Sequence, residues 1–516
     1  MKAVRVFAPG VVGLEARLVE VEVFPAREPV HFQIIGLPDS AVRESSHRVL
    51  SALSACGLPF PNGPLLVNLA PASTRKQGAA LDLAVALGVT AMKGTLPREV
   101  FQGTLVVGEL ALDGKVRPVR GAFLAGALAR EKGLNRVVCA LEMAREVHLA
   151  SPSLNVMGVP HLEEAALVLL GTVPPRPIPP PSKSPNRPSQ APDLADVRGQ
   201  ERAVRALVVA AAGGHHLLMA GPPGAGKTFL ALRLPGILPP LGEKERIEVT
   251  RIRSAAGLPV DRLEEERPFR APHHSISYAG LAGGGSEPRP GEVTLASGGV
   301  LFLDELPEFE RRTLEVLRQP LEEGRVRLAR AKGQWTFPAR FLLVAAMNPC
   351  PCGFLGHPVR PCRCSPSQVA RYQARVSGPL LDRMDIRVWV PAVEPEALLG
   401  GPNSPAKTFL TTKAARDHVM EARKRQAFRY RGTPYRTNGE IPSSLLDRFS
   451  PLQEGPREVL VQAVRSLGLS ARGLVRVRRV ALTLADLEGK NRVEEHHLLE
   501  ALAFRGEGRF LERRSL

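Results

Sequence analysis

The chain has 516 residues, too many for a single hydrophobic core, so we expect two to four domains. Hydrophobic residues make up 44% and charged residues 23%, as is usual for a soluble globular protein. The formal net charge of +18 favours a polyanionic partner such as nucleic acid, because clustered Lys and Arg release counterions from a phosphate backbone. A protein can also simply be basic, and charge alone does not decide between these interpretations.

Targeting and membrane segments are not indicated. The N-terminal MKAVRVFAPG lacks the apolar core of a signal peptide, and no later stretch approaches the roughly 20 apolar residues of a membrane span. Six cysteines in a chain of this length do not suggest a secreted disulfide framework. We therefore expect a cytoplasmic protein without a membrane partner.

Residues 1–171 alternate between β-like and helical patterns and are predicted to form a mixed α/β domain. The predicted strands are 16–23, 65–69, 105–107 and 136–140, and the predicted helices include 40–56 and 80–91. Residues 172–192 are rich in proline, which blocks helix and sheet alike, and are predicted to form a stiff exposed linker.

Residues 193–400 carry apolar strand candidates separated by helical stretches, a pattern typical of a parallel sheet covered by helices. The candidates are 216–220, 299–303, 341–346 and 386–390. From about residue 408 the strand signals fade, so 401–516 are predicted to form a helical domain.

The segment GPPGAGKT, residues 221–228, fits the pattern of a phosphate-binding loop between an apolar strand and a helix. Its glycines let backbone N–H groups close around phosphates, Lys227 can neutralise the β and γ oxygens, and the Thr228 hydroxyl can bind Mg²⁺. The predicted nucleotide-binding residues are Gly221, Pro222, Pro223, Gly224, Ala225, Gly226, Lys227 and Thr228.

An acidic pair, Asp304 and Glu305, follows the apolar run VLFL at the end of a predicted central strand. Open α/β sheets bind ligands at this end of their strands. We expect Asp304 to hold Mg²⁺ and Glu305 to polarise the attacking water. An ordinary solvated strand end is the alternative, and the upstream phosphate-binding loop argues against it.

The order GPPGAGKT, LFLDE, AAMNPCPCG, SGPLLDRMDI and SARGLVRVRRVALTLADLEG resembles the magnesium-chelatase-like branch of AAA+ ATPases, and within it the ComM/YifB family. The resemblance implies an AAA+ P-loop core with a helical lid, ATP and Mg²⁺ as cofactors, and a ring-shaped homo-oligomer, expected to be a hexamer. It also implies that Asn348 orients the attacking water, that Gln200 lies near the adenine, and that Arg472 acts as a second sensor. Arg383 would be an arginine finger that reaches the neighbouring subunit's ATP. Simpler alternatives are a salt bridge from Arg383 to Asp382 or Asp385, and for Arg472 a general basic face.

The N-terminal domain resembles the Lon-protease-like domain, which has a ribosomal-protein-S5-type fold. The positions that match the catalytic serine and lysine of Lon proteases are Ala80 and Phe123. A Ser–Lys dyad needs a nucleophile and a base. We therefore expect a binding or assembly module without peptidase activity.

Two segments of the core are candidate DNA contacts. Residues 267–285 occupy the place of a loop insertion in this AAA+ branch and contain Tyr278, while 324–341 read as a β-hairpin. Arg330, Lys332 and Trp335 at the hairpin tip could bind a phosphate backbone and stack on a base. The alternatives are a solvated turn and, for His273 and His274, a polar loop without a ligand.

Four cysteines form two close pairs separated by nine residues, directly after Asn348. They are Cys350, Cys352, Cys362 and Cys364. Four thiolates can hold one tetrahedral ion, so a structural Zn²⁺ is one expectation and a group of free thiols is the other.

Taken with the resemblance, these features predict an ATP-dependent ring that moves along single-stranded or branched DNA as a helicase or branch-migration motor. A magnesium-chelatase motor subunit and a nucleotide-switched scaffold or transcriptional regulator are the rival expectations.

Overall fold

A computed structural model of the chain describes residues 3–26, 32–59, 63–72, 76, 78–181, 192–285, 288–330, 333–393 and 410–506. Residues 182–191 of the predicted linker and the predicted boundary at 400–401 lie outside these residues. Every helix among those described is too short or too polar to cross a lipid bilayer.

The N-terminal unit is a seven-stranded mixed sheet covered by helices, as predicted. Its strands are β1 Val4–Val12, β2 Glu15–Pro25, β3 Phe32–Ile35, β4 Leu65–Ala70, β5 Thr104–Val107, β8 Arg136–Ala140 and β9 Asn155–Val159, with a small ribbon of β6 Glu109–Leu110 and β7 Val116–Arg117. Its helices are α1 Ser40–Ala55, α2 Asp82–Met92, α3 Ala122–Glu131, α4 Ala144–Ala150 and α5 Leu162–Leu169. The sheet order is β3-β4-β2-β1-β5-β8-β9, with antiparallel pairs β1–β2 and β2–β4 among otherwise parallel neighbours.

The second unit is built on a five-stranded sheet whose pairings are all parallel. Its strands are β10 Leu217–Ala220, β11 Phe269–Arg270, β14 Val300–Leu303, β17 Leu342–Met347 and β18 Ile386–Trp389, in the order β11-β14-β17-β10-β18. Every residue of β10, β14 and β17 is buried, as expected for strands covered on both faces. The four predicted strands are confirmed, and the two-residue β11 is an additional edge strand.

Short helices and two antiparallel ribbons surround this sheet. The helices are α6 Glu201–Gly213, α7 Lys227–Ala231, α8 Leu234–Ile237, α9 Glu243–Ala256, α10 Tyr278–Ala282, α11 Glu292–Leu295, α12 Arg311–Glu315, α13 Arg318–Glu323, α14 Pro366–Gln373 and α15 Gly378–Leu381. The ribbons are β12 Gly283–Gly284 with β13 Arg289–Pro290, and β15 Arg325–Arg330 with β16 Gly333–Pro338. The pairing of β15 with β16 confirms the predicted hairpin.

The described C-terminal residues are helical, as predicted, and share a core with the second sheet. The helices are α16 Thr412–Arg429, α17 Leu446–Phe449, α18 Glu454–Leu467, α19 Ala471–Leu487 and α20 Glu495–Gly506. One buried apolar cluster contains residues of the sheet, of α6 and of α16, α19 and α20. The start of α16 is tied to the second unit, because the Thr412 N–H and hydroxyl donate to Asp193 Oδ1 at 2.7 and 2.9 Å.

The N-terminal unit packs directly on the second unit. Gly121 N–H, just before α3, donates to Ser254 O of α9 at 3.0 Å, and the Arg251 guanidinium of α9 donates to Leu14 O at 2.8 Å. Leu14 and Leu124 join a buried cluster that also contains residues of β10, β14 and β17. The two units therefore share apolar core as well as hydrogen bonds at their contact.

A buried ionic network joins the N-terminal ends of two strands to helix α19. Asp385, only 2% exposed, lies immediately before β18 and accepts from Arg476 Nη1 at 2.5 Å and from the His216 N–H at 3.2 Å. His215 Nδ1 lies 3.6 Å from the same carboxylate. Burial by itself would raise the pKa of Asp385, but Arg476 and the adjacent His215 hold that pKa far below its usual range.

We predict that Asp385→Ala lowers the free energy of unfolding of the second unit by about 3–5 kcal/mol, because it removes the buried carboxylate that pairs with the largely covered Arg476 guanidinium and accepts the His216 N–H. The loss can be followed by urea titration with Trp389 fluorescence, since Trp389 ends β18. Asp417→Ala, on the exposed side of α16, is the matched control and should change the stability by less than about 0.5 kcal/mol.

The same network gives the stability a defined pH dependence. A carboxylate whose folded pKa lies below its unfolded value of about 3.9 contributes stability that is complete above that value and disappears as the pH falls. The difference in free energy of unfolding between wild type and Asp385→Ala should therefore be constant from pH 7 to about pH 5 and shrink below about pH 4. A difference that grew on acidification would contradict an ionised Asp385 in the folded protein.

Candidate functional site

The predicted phosphate-binding loop connects β10 to α7, and its glycines are required by the backbone. Gly224 and Gly226 have φ of +77° and +88°, a region that side-chain-bearing residues rarely adopt. At Gly221 a Cβ atom would lie 2.0 Å from Val390 O, so only glycine lets the loop leave the sheet beside β18. The loop N–H groups and the start of α7 form the type of cradle that binds phosphate.

Lys227 is the buried cation of this loop. Its Nζ donates to Gly221 O at 2.8 Å, to Pro222 O at 2.9 Å and to Asn348 Oδ1 at 3.1 Å. Burial lowers the pKa of Lys227 to about 8, against the opposing pull of Asp304 and Glu305. The ammonium is thus held at the loop with polar partners that phosphate oxygens could replace.

The two predicted Mg²⁺ ligands are adjacent. Thr228 Oγ1 donates to Asp304 Oδ2 at 2.5 Å, although 76 residues separate them in the chain. A hydroxyl and a carboxylate are hard oxygen donors of the kind that Mg²⁺ prefers, together with phosphate oxygens and water. The donor set therefore fits Mg²⁺.

Glu305 lies beside this pair in a strained conformation. Its φ of +52° is in the left-handed region, where a non-glycine residue costs about 1–3 kcal/mol. His274 Nδ1 lies 3.3 Å from Glu305 Oε2. The His274 ring also stacks on His273, with centroids 4.0 Å apart. The loop that carries His274 therefore lies against the carboxylate next to Asp304.

Asn348 and Gln200, also expected near the nucleotide, contact Lys227 and the loop backbone respectively. Asn348 follows β17 and contacts Lys227 directly. Gln200 is buried, and its amide nitrogen donates to Ala225 O of the loop at 3.2 Å and to Pro391 O at 2.8 Å. Gln200 therefore supports the backbone of the phosphate-binding loop.

Arg383 and Arg472 line one cavity of about 310 Å³, together with Glu322, Asp382 and two further arginines of α19. Arg383 Nη1 donates to Pro379 O at 2.6 Å and its Nη2 pairs with Glu322. The alternative of a salt bridge to Asp382 or Asp385 was wrong, because the partner is Glu322. Asp385 is engaged by Arg476 instead.

The candidate DNA residues differ in accessibility. Tyr278 begins α10 and is 42% exposed, with the Arg312 guanidinium 5.9 Å from its ring centroid. Trp335 is paired with Leu328 in the hairpin and is half-buried against the shared core. Packing covers part of the Trp335 ring and leaves the rest accessible. Lys332 and the Arg330 side chain lie outside the described residues.

The N-terminal positions that match the Lon dyad hold no reactive group. Ala80 is half-buried just before α2, while Phe123 is buried in the first turn of α3. The Phe123 N–H donates to Ser254 Oγ of α9 at 3.2 Å. Phe123, the position predicted to match the Lon lysine, thus lies at the contact between the two units.

Comparison with known proteins agrees with this arrangement. Three family models match the chain. The model of magnesium chelatase subunit ChlI matches residues 193–398, and the model of the ChlI C-terminal part matches residues 410–505. A further model, described as subunit ChlI of Mg-chelatase, matches residues 19–143. Protein YifB of Salmonella typhimurium is 39% identical over 502 residues, covering 97% of this chain and 96% of YifB. Competence protein ComM of Haemophilus influenzae is 39% identical over 519 residues, covering 99% of each chain.

A shorter match covers a quarter of the chain. Lon protease 2 of Bacillus subtilis is 31% identical in an alignment of 145 residues that covers 25% of each protein. The family assignment rests on the full-length similarity to YifB and ComM and not on this local match. The AAA+ class of that family implies ATP and Mg²⁺ as ligands. The chain belongs to the magnesium-chelatase-like AAA+ proteins of the ComM/YifB family.

Proposed function

We propose that this protein is an ATP-hydrolysing motor that assembles into a homo-oligomeric ring, a hexamer by family resemblance, and acts on DNA in the cytoplasm. One observation carries the ATPase part: Lys227, Asn348 and the Asp304–Glu305 pair converge at the ends of three neighbouring strands. These groups are what phosphoryl transfer needs, because the reaction is accelerated mainly by positioning and charge stabilisation.

Each residue has a defined task. Lys227 neutralises the β and γ oxygens, and Thr228 with Asp304 would hold Mg²⁺, which supplies charge neutralisation on the same oxygens. Glu305 accepts hydrogen bonds from the attacking water and aligns it, and Asn348, beside Lys227, orients the same water.

His274 connects Glu305 to the predicted DNA-binding segment. It lies four residues before Tyr278, and its Nδ1 contacts the Glu305 carboxylate at 3.3 Å. A shift of the Tyr278 segment on DNA binding would change this contact and so the orientation of Glu305. We infer that the contact couples DNA binding to hydrolysis.

Arg383 and Arg472 are proposed to complete the site of an adjacent subunit, with α16–α20 as the helical lid. Their shared cavity holds four arginine side chains and two carboxylates, a positive balance suited to phosphate oxygens. On ring assembly, Arg383 would leave Glu322 and contact the nucleotide of the neighbouring subunit. Hydrolysis would then depend on the ring.

The net charge of +18 and the similarity to a competence protein support DNA as the partner. We propose helicase or branch-migration work on recombination intermediates, as required in natural transformation. A magnesium-chelatase subunit or a nucleotide-switched scaffold would instead respond to protein partners or bind DNA without moving along it.

We predict that ATP turnover by the full-length protein rises when single-stranded, duplex or four-way-junction DNA is added, and that Lys227→Ala lowers kcat by about 10²-fold or more in every case. DNA binding should survive in Lys227→Ala, measured by fluorescence anisotropy. Equal turnover with and without all three DNAs would favour the chelatase or scaffold alternatives.

We predict that Arg383→Ala lowers turnover by roughly 10³–10⁵, the range for a trans arginine in phosphoryl transfer. Random 1:1 mixing of Arg383→Ala with Lys227→Ala should restore roughly a quarter of wild-type turnover, because that fraction of interfaces joins an intact Lys227 to an intact Arg383. Glu322→Ala, which frees Arg383 from its partner, is the matched control and should remain active. Failure of mixing to restore any activity would place Arg383 in its own subunit's chemistry.

We predict that His274→Ala reduces the ratio of DNA-stimulated to basal turnover by about two- to fivefold, since a single polar contact is worth about 0.5–1 kcal/mol. His273→Ala is the control, because His273 Nδ1 contacts Ser275 and not Glu305. An unchanged ratio in His274→Ala would remove His274 from the coupling.

A further inference from the structure

The four cysteines of the loop between β17 and α14 form one compact sulfur cluster. Cys350 Sγ lies 3.4 Å from Cys352 Sγ and 3.6 Å from Cys362 Sγ, and Cys352 Sγ lies 3.6 Å from Cys362 Sγ. Together with Cys364, all four sulfurs are within 4.8 Å of one another. A disulfide would need about 2.05 Å, whereas a tetrahedral ion with metal–sulfur bonds of about 2.3 Å puts its sulfurs about 3.8 Å apart. The spacing is that of one shared ion.

One sulfur of the cluster accepts a hydrogen bond from the backbone of the same loop. Cys364 N–H donates to Cys362 Sγ at 3.4 Å. Metal-binding cysteines are deprotonated, and N–H donors offset the resulting charge.

The loop also supplies compensating charge and shields the sulfurs. A divalent ion with four thiolates carries a net charge of −2, and Arg360 and Arg363 lie within the same loop. The Arg360 guanidinium is 5.5 Å from the Phe354 ring centroid. Cys350 is fully buried and the other three cysteines are half-buried, so the four ligands enclose the ion position without an open coordination site.

We propose that Cys350, Cys352, Cys362 and Cys364 bind one Zn²⁺ in a closed tetrahedral site that holds this loop against the nucleotide site. Soft thiolate ligands with tetrahedral geometry select zinc among the divalent ions, and four sulfurs gathered around one point leave no room for an iron–sulfur cluster, which spreads its cysteines over several irons.

The position of the loop gives this ion a structural task. Cys350 is two residues after Asn348, and Gly353 packs on the phosphate-binding loop, where a Cβ atom would lie 2.6 Å from Cγ and Cδ of Pro223. The zinc site therefore fixes the segment between Asn348, which contacts Lys227, and Gly353, which packs on Pro223.

The test is the metal content of the full-length protein, purified without a metal-affinity step and measured by plasma mass spectrometry. We expect about one zinc per chain in wild type and less than about 0.2 in the double variant Cys352→Ser/Cys362→Ser. Cys56→Ser is the matched control, because Cys56 is a half-buried cysteine of the N-terminal unit, and it should keep its zinc. Iron in place of zinc, or zinc retained by the double variant, would overturn the assignment.

A second measurement on wild type does not depend on the variant folding. Cobalt replacement should give the intense thiolate charge-transfer and visible bands of a tetrahedral four-sulfur site. Protein that lacks zinc, shows no such bands with cobalt and has four additional thiols open to a thiol reagent would refute the site.

The effect on hydrolysis rests on the proposed ATPase function and is measured separately. Removal of zinc should lower kcat by about tenfold or more with little change in the KM for ATP, since small misplacement of catalytic groups is costly. Zinc present with kcat unaffected by its removal would leave the metal site standing and refute its role in holding the loop. Absence of ATP turnover in the zinc-loaded protein would instead count against the proposed function.

Discussion

The order of three parallel strands governs the chemistry of this protein. Because β17 lies between β10 and β14, the loops that follow these strands emerge side by side at one edge of the sheet. The phosphate-binding loop, Asn348 and the acidic pair are brought within hydrogen-bond distance although Thr228 and Asp304 are 76 residues apart. Burial on both faces keeps these strands in register, and the low dielectric around Lys227 strengthens each interaction with its neighbours.

The opposite edge of the same sheet determines where the C-terminal arginines lie. Arg476 of α19 is held by Asp385 at the start of β18, and Arg472 is one turn earlier on the same helix. The buried pair thus fixes the helix that presents Arg472 beside Arg383. A substitution at Asp385 would affect stability and the geometry of this cavity together, whereas a substitution at Arg472 would spare the sheet.

Much of the second sheet and of the nucleotide site was predictable from the sequence, and the contacts that were not predicted have physical causes. The strands of the second sheet and the contact of Thr228 with Asp304 follow from apolar runs ending in polar motifs. The contact of His274 with Glu305 was missed because β11 has only two residues, too few to give a periodic signal that would place its loop at the sheet edge. The Glu322 partner of Arg383 and the packing of Trp335 depend on long-range contacts, about which local patterns carry no information.

Two loops hold the nucleotide site from different sides, and their restraints differ in kind. On the acidic side, Glu305 keeps a left-handed backbone and a partly exposed contact with His274, a combination of strain and weak pairing that a small change in free energy can reverse. On the other side, Gly353 has φ of +82° and no room for a Cβ against Pro223, next to four converging cysteine sulfurs. A loop fixed by metal ligands and close packing cannot follow small shifts. The adjustable part of the site is therefore Glu305, and the phosphate-binding side is the fixed reference against which it moves.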